Sequence, residues 1–204
     1  MRGRNDICVF MYYNLTAIIL KRRVFKEDDL LVTVYSKEKG KLVLLARGAK
    51  KVLSKLAGHL EPVSLSYLNM VDGRAIDQLI GAEMIQCFSA IKNDLDKLAA
   101  AGWLLNLLDQ MTLENHADSR IFQLTQKFLT FLEKESKNYD IVKISAGFKL
   151  LHLLGLNPAG KAEIKFKDEI EFIVKNNIEE ICKNKNIIKN LKVIGDILNK
   201  ETEI

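Results

Sequence analysis

Cysteine is scarce in this chain: Cys8, Cys87 and Cys182 lie far apart and no Cys-x-x-Cys occurs. An odd, scattered set argues against a disulfide framework or a zinc knuckle and fits plain thiols in a reducing cytoplasm. Histidine is equally sparse. His59, His116 and His152 fall on three different predicted elements, none at a spacing that would make it a metal ligand with a carboxylate. The glycine-rich signatures of nucleotide cradles are missing, since Gly48 stands nearly alone. No catalytic set, metal or cofactor is therefore expected, and a binding protein is favoured over an enzyme. A long apolar run is lacking too. Ile7 to Tyr13, after Arg2 and Arg4, is broken by Asn14 and Thr16, and Lys21-Arg22-Arg23 follows, so neither an export signal nor a membrane span is read there.

What is present is a globular composition over 204 residues, 48% apolar and 28% charged, with a net charge of +5. That charge is unevenly placed. Residues 1–88 hold 14 Lys/Arg against 9 Asp/Glu, whereas residues 89–204 hold 17 of each. A basic first part and a neutral second part imply one domain for a polyanion and another for packing or protein partners.

The first part reads as strands and turns. Leu15 to Leu20, Leu30 to Tyr35 and Leu42 to Ala46 are short apolar runs, and Gly40 closes the turn before the third. Ser64 and Ser66 alternate with Val63, Leu65 and Tyr67, and Asp72-Gly73 is a strong hairpin signal before a fifth strand over Ala75 to Ile80. Five short strands make too small a sheet for a sandwich, so a small closed barrel is expected. The count suits an OB-fold without separating it from an SH3-like barrel.

After Glu83 the spacing becomes helical. Leu95, Leu98, Gly102, Leu105 and Leu108 line one face, widened by Leu104, Leu107 and Met111. Ile121, Leu124, Phe128, Phe131 and Leu132 repeat behind a cap at Asp118 or Ser119. Ile141, Ile144, Phe148 and Leu151 repeat again, with Gly155 and Asn157-Pro158 as the stop and His152 read as a core or interface histidine. Lys161 to Lys167 alternates like a strand. Asp168 is read as the cap of a helix carrying Ile170, Ile173 and Val174, and Ile187, Leu191, Ile194 and Leu198 form the last helix. The expected architecture is α+β: an N-terminal five-stranded β-barrel over 1–88, with 1–13 as an extension, then an α-helical domain over 89–204.

Between Asn14 and Leu60 stand 11 Lys/Arg against 4 Asp/Glu, gathered beside strand ends and turns, where a barrel presents its binding loops. Tyr35 and Tyr67 are possible base-stacking platforms, and Glu27-Asp28-Asp29 reads as a solvated turn between two strands. These features point to nucleic acid.

Several of the same residues resemble the opening of the bacterial DNA-repair protein family RecO: Thr16 to Leu20, Glu27-Asp28 before an apolar strand, Gly40, Arg47-Gly48-Ala49-Lys50-Lys51 with Ser54-Lys55, Leu60-Glu61-Pro62 and Ala82-Glu83. Phe148 to Pro158 is similar to that family's leucine-rich helix ending in Leu-Gly-x-x-Pro. The resemblance implies an OB-fold and a helical domain in a recombination mediator that binds single- and double-stranded DNA, anneals strands and works with RecR. It implies help in loading RecA onto DNA coated by single-strand-binding protein, whose acidic tail would meet the helical domain. Arg47, Lys50, Lys51 and Lys55 are the DNA-contacting candidates from the resemblance, and Lys21, Arg22, Arg23, Lys39 and Lys41 are added from charge. Many members carry four zinc-binding cysteines after that helix. Residues Ala159 to Lys167 hold none, so no zinc is expected. In that family the first strand starts a few residues after the initiator, and Met11 stands four residues before Leu15, so Met1 to Phe10 are expected to be dispensable; the competing reading has Ile7 to Phe10 extend the first strand. The competing reading is an OB-fold adaptor for structured RNA or a protein partner, distinguished by dependence on the 2′-OH or by weak salt dependence.

Overall fold

A computed structural model of the chain describes residues 11–134, 138–156 and 166–202. The chain divides into two compact units at Cys87/Phe88. Met1 to Phe10, Asn157-Pro158 and residues 161–165 of the strand-like stretch lie outside the described residues.

The first unit has five strands: β1 (Tyr12–Val24), β2 (Leu30–Ser36), β3 (Gly40–Ala46), β4 (Ser64–Val71) and β5 (Gln78–Cys87). They close in the order β1-β2-β3-β5-β4, with β4 returning antiparallel to β1 and a short parallel contact joining Leu45 and Ala46 to Gln78 and Leu79. This closed five-stranded arrangement is the OB-fold topology, which the strand count left undecided. Side-chain alternation builds its interior. On β3, Leu42, Leu44 and Ala46 point in, while Lys41, Val43 and Leu45 are half-exposed. Leu15, Ala17, Ile19, Val32, Val34, Leu68 and Met70 complete the core.

Two strands run differently from the sequence expectation. β1 continues through Lys21-Arg22-Arg23, which pair with Thr33, Val32 and Leu31 after a register shift between Ile19 and Lys21. A bulge bends the strand and re-aims its side chains, so three consecutive cations stay exposed on paired backbone instead of forming a turn. β5 begins at Gln78, not Ala75, and runs to Cys87, past the point where helical texture was expected. The delay comes from Asp77. Its carboxylate accepts from the Gly73 N–H at 3.1 Å and from the Tyr13 hydroxyl, and its carbonyl accepts from the Leu45 N–H at 2.9 Å. The hairpin loop is thereby closed by its last residue. At Gly73 a Cβ would stand 1.8 Å from the Ile76 carbonyl oxygen, so only glycine fits. The turn at Gly40 has φ of 73°, as its position requires.

Seven helices follow among the described residues: α1 (Ser89–Lys92), α2 (Leu95–Met111), α3 (Ser119–Lys134), α4 (Tyr139–Leu153), α5 (Lys167–Lys175), α6 (Ile178–Lys183) and α7 (Lys185–Thr202). Ile141, Ile144, Phe148 and Leu151 of α4 form the centre with Ile170, Ile173, Ile181, Ile187, Ile194 and Leu198. The α4–α7 crossing is close. A Cβ at Gly147 would lie 2.7 Å from Leu198 and 2.8 Å from Trp103, and one at Gly195 would lie 3.0 Å from Ile144. Asp94 caps α2 by accepting from Asp96 N and Lys97 N, which holds its carboxyl below the usual range, and Asp118 accepts from Arg120 N at 2.8 Å at the start of α3.

Some expectations on the helices need correction. Leu95 is 84% exposed, and the buried stripe of α2 runs through Lys97, Ala100, Ala101, Leu104, Leu105, Leu107 and Leu108. Alanines carry no polar group and let neighbours approach, so they hold the seam that the leucine spacing had assigned to Leu95 and Leu98. His152 is exposed in the last turn of α4, where a basic side chain suits the helix C-terminus. Lys167 opens α5 instead of ending a strand, and Asp168 sits in its first turn behind Phe166.

Candidate nucleic-acid interface

The basic residues of the barrel fall into two groups. β1 delivers Lys21, Arg22 and Arg23 to one end of the barrel. β3 ends at Ala46 beside Leu30 of β2, and Arg47, Lys50, Lys51 and Lys55 follow on the next loop. Two backbone amides tie that loop to the β1–β2 turn: Gly48 N–H donates to the Asp29 side-chain Oδ1 at 2.8 Å and Lys50 N–H to the Asp28 carbonyl at 3.0 Å. Gly48 has φ of 61°, which a side-chain-bearing residue rarely adopts. Arg22, Arg23, Val24, Lys50 and Ala57 thus line one open groove of about 360 Å³.

The acidic run is therefore more than a solvated turn. Asp29 holds the Gly48 amide, and Asp28 lies 4.0 Å from the Lys51 ammonium. Residues 21–29 and 47–55 still hold eight Lys/Arg against three Asp/Glu, so the end of the barrel keeps a positive excess. Arg22 pairs with Glu61 at 2.7 Å. With its amide turned so that the carbonyl faces the guanidinium, Gln78 accepts from Arg47 Nε at 2.6 Å and Nη2 at 2.8 Å. This orients Arg47, which stays exposed. Arg23, Lys50 and Lys55 are exposed and form no ion pair among the described residues.

Lys39 and Lys41 do not join this cluster. Lys39 lies in the β2–β3 turn and Lys41 just beyond it on β3, and the strand rise of about 3.3 Å per residue puts Lys41 about 20 Å along β3 from Arg47. Lys39 Nζ lies 3.5 Å from the centroid of the Tyr13 ring. The Tyr13 hydroxyl is bonded to Asp77, and burial followed by that carboxylate pushes its pKa well above the ordinary value. Tyr35 is fully buried and offers no ring for stacking. Its run of β-branched and apolar neighbours on β2 is buried at every position. Tyr67 is 37% exposed, but it stands opposite Glu83 on β5, an unfavourable neighbour for a phosphate.

The helical unit carries a second recess. Leu124, Phe128, Phe131, Val142, Ala146 and Ile178 wall a cavity of about 210 Å³ between α3, α4 and the start of α6, with Lys127 and Lys149 at its edge. Lys127, Phe131 and Ile178 also border an adjoining groove of about 510 Å³. Lys149 Nζ donates to the Asn176 carbonyl at 2.5 Å, and burial, then the nearby Lys127, lowers its pKa. Ser145 Oγ is buried there with no hydrogen-bond partner among the described residues. Arg120 of α3 and Lys143 of α4 are paired elsewhere, with Asp118 at 2.6 Å and Asp140 at 3.7 Å. The spacing of apolar residues signalled these helices but not which side chains would leave a gap.

Comparison with known proteins decides the family. The description "Recombination protein O N terminal" matches residues 11–88, and "Recombination protein O C terminal" matches residues 92–171. The chain belongs to the RecO family. Curated relatives named DNA repair protein RecO include one from Desulforamulus reducens, 35% identical over 146 residues, covering 72% of this chain and 56% of that protein. Others come from Listeria monocytogenes, 31% identical over 69% of this chain and 55% of the relative, and Gloeothece citriformis, 31% identical over 72% and 52%. The chain spans little more than half the length of these relatives. Among the described residues no helix is long and apolar enough to cross a membrane, and no group of three or more His, Cys, Asp and Glu is placed to hold a metal ion.

Proposed function

We propose that this chain is a non-catalytic, cytoplasmic DNA-binding protein of recombinational repair. It binds single- and double-stranded DNA, anneals complementary strands and, with RecR, assists loading of RecA. The observation that carries the reading is the gathering of Arg22, Arg23, Arg47, Lys50, Lys51 and Lys55 at one end of an OB-fold barrel. OB-folds take single strands across their loops, and a cluster without base-reading geometry acts through phosphates. Lys21 belongs with this group by its place on β1, and Lys39 and Lys41 contribute only to the long-range field.

The recess of the helical unit supports a second element of the same reading. An acidic, apolar-ended tail of the kind single-strand-binding protein presents would place its apolar side chain against Phe128, Phe131 and Ile178 and its carboxylates near Lys127 and Lys149.

A fluorescence-anisotropy titration of single-stranded DNA, duplex DNA and single-stranded RNA across salt tests the proposal. Neutralising five or six phosphates gives a log–log slope of about −4. A slope shallower than about −1.5, or tight binding that requires the 2′-OH, would replace it with the protein- or RNA-adaptor reading.

A further inference from the structure

The loop that carries Lys50, Lys51 and Lys55 has an unusual tip. Ser54 N–H donates to the Lys51 carbonyl at 2.8 Å, which makes Val52 and Leu53 the two central residues of a tight turn. Such positions usually hold Gly, Pro, Asn, Asp or Ser. Here they hold two apolar side chains, Val52 wholly exposed and Leu53 92% exposed. The turn is fixed at its base by the Gly48–Asp29 and Lys50–Asp28 bonds, and Leu56 N–H donates to Ser54 Oγ at 3.3 Å beyond it. On the neighbouring β1–β2 turn, Phe25 is 46% exposed. Apolar tips among lysines suit a partner that is anionic and also shows apolar faces. Duplex DNA shows its phosphates and hides its bases, whereas a single strand shows both.

We propose that Val52-Leu53 is an apolar wedge that packs against exposed base faces, so that this end of the barrel prefers an unstacked single strand over duplex. The proposal rests on the DNA-binding reading above. The cations hold the backbone and set the salt slope, and the wedge adds a salt-independent contact with the bases. The two contributions are separable because they move different parameters of one titration.

The test is V52S/L53S, which keeps every charge and places turn-compatible residues at exposed positions, with V52I/L53M as the apolar control. Both are titrated with labelled dT20 and with a 20-base-pair duplex at several salt concentrations. The expected result is a loss of about fivefold to tenfold on dT20 at every salt for V52S/L53S, with unchanged slope, less than twofold loss on duplex, and wild-type behaviour for V52I/L53M. Equal affinity of V52S/L53S and wild type for dT20 overturns the wedge while leaving the DNA reading in place. An equal loss on duplex and single strand overturns the preference for unstacked bases. Loss of binding only to vesicles of phosphatidylcholine with 30% phosphatidylserine would assign the tip to a lipid surface. If wild type itself shows a shallow slope on dT20, the DNA reading fails first, and the wedge with it.

Discussion

In the barrel the cations are placed by backbone: Arg23 by a bulged strand, Lys50 by an amide bonded to Asp28, and Lys51 by the turn that Gly48 starts. In the helical unit Lys127 and Lys149 reach a recess from helix faces, and Lys149 is held by a carbonyl at the end of α5. The difference teaches where each site is fragile. Loops fixed by main-chain bonds tolerate side-chain replacement, so changing a lysine there removes charge with little effect on shape. The helical recess is made of the core's own outer side chains, so a change there alters packing and charge together.

The largest effects should come from the two cores. Leu44→Ala, in the barrel interior, is expected to cost about 2–5 kcal/mol, and Phe148→Ala, at the centre of the helical unit, about 3–5 kcal/mol. Hydrogen exchange should place the lost protection in β1–β5 for the first and in α2–α7 for the second. Equal loss of protection in both units from either variant would show that they do not open separately.

Next comes the basic cluster. Replacing Arg47, Lys50 and Lys51 together by alanine should weaken single-stranded DNA binding by about 10- to 100-fold near 0.1 M salt and make the slope shallower by about 2. Every sequence should be affected alike, with the melting temperature nearly unchanged. Replacing Lys183 and Lys185 should do little, and Lys39 with Lys41 should fall between. If Lys183 and Lys185 prove the more damaging pair, DNA binds the helical unit and the comparison is reversed.

Much of this was legible in the sequence, because strands and helices advertise their period. The runs around Val32, Leu44 and Leu68 became barrel walls, and Ile141, Ile144, Phe148 and Leu151 became the helical core. What stayed hidden depended on partners distant in sequence. Asp77 delays β5 through bonds to Gly73, Tyr13 and Leu45, which no local window contains. Tyr35 reads like any exposed strand tyrosine until both faces of β2 are found buried. The division of the cations followed the same rule. Lys41 and Arg47 are neighbours in sequence, but an extended strand separates them, while the Gly48 and Lys50 amides join Arg47's loop to a turn about twenty residues away.

The smallest effect is a pH dependence at the helical recess. Burial and the neighbouring Lys127 hold the Lys149 pKa below that of an ordinary lysine. Folding therefore disfavours the protonated form. In the window between the folded and unfolded values the unfolded chain binds more protons, so this residue's penalty is present below the folded pKa and relieved as pH rises through it. Binding of an acidic tail has the opposite sign, because the ammonium is the group that attracts a carboxylate. Affinity for a short acidic peptide with an apolar C-terminus, measured by calorimetry, should decline on the alkaline side as Lys149 loses its charge below the usual lysine range. Lys149→Arg keeps the cation through that range and should remove the decline, with a change of about twofold or threefold at neutral pH. Phe131→Ala should weaken the peptide at all pH values without altering the profile. A profile that is the same for wild type and Lys149→Arg would show that the carboxylates meet Lys127 alone, and that Lys149 serves only to cap α5 through Asn176.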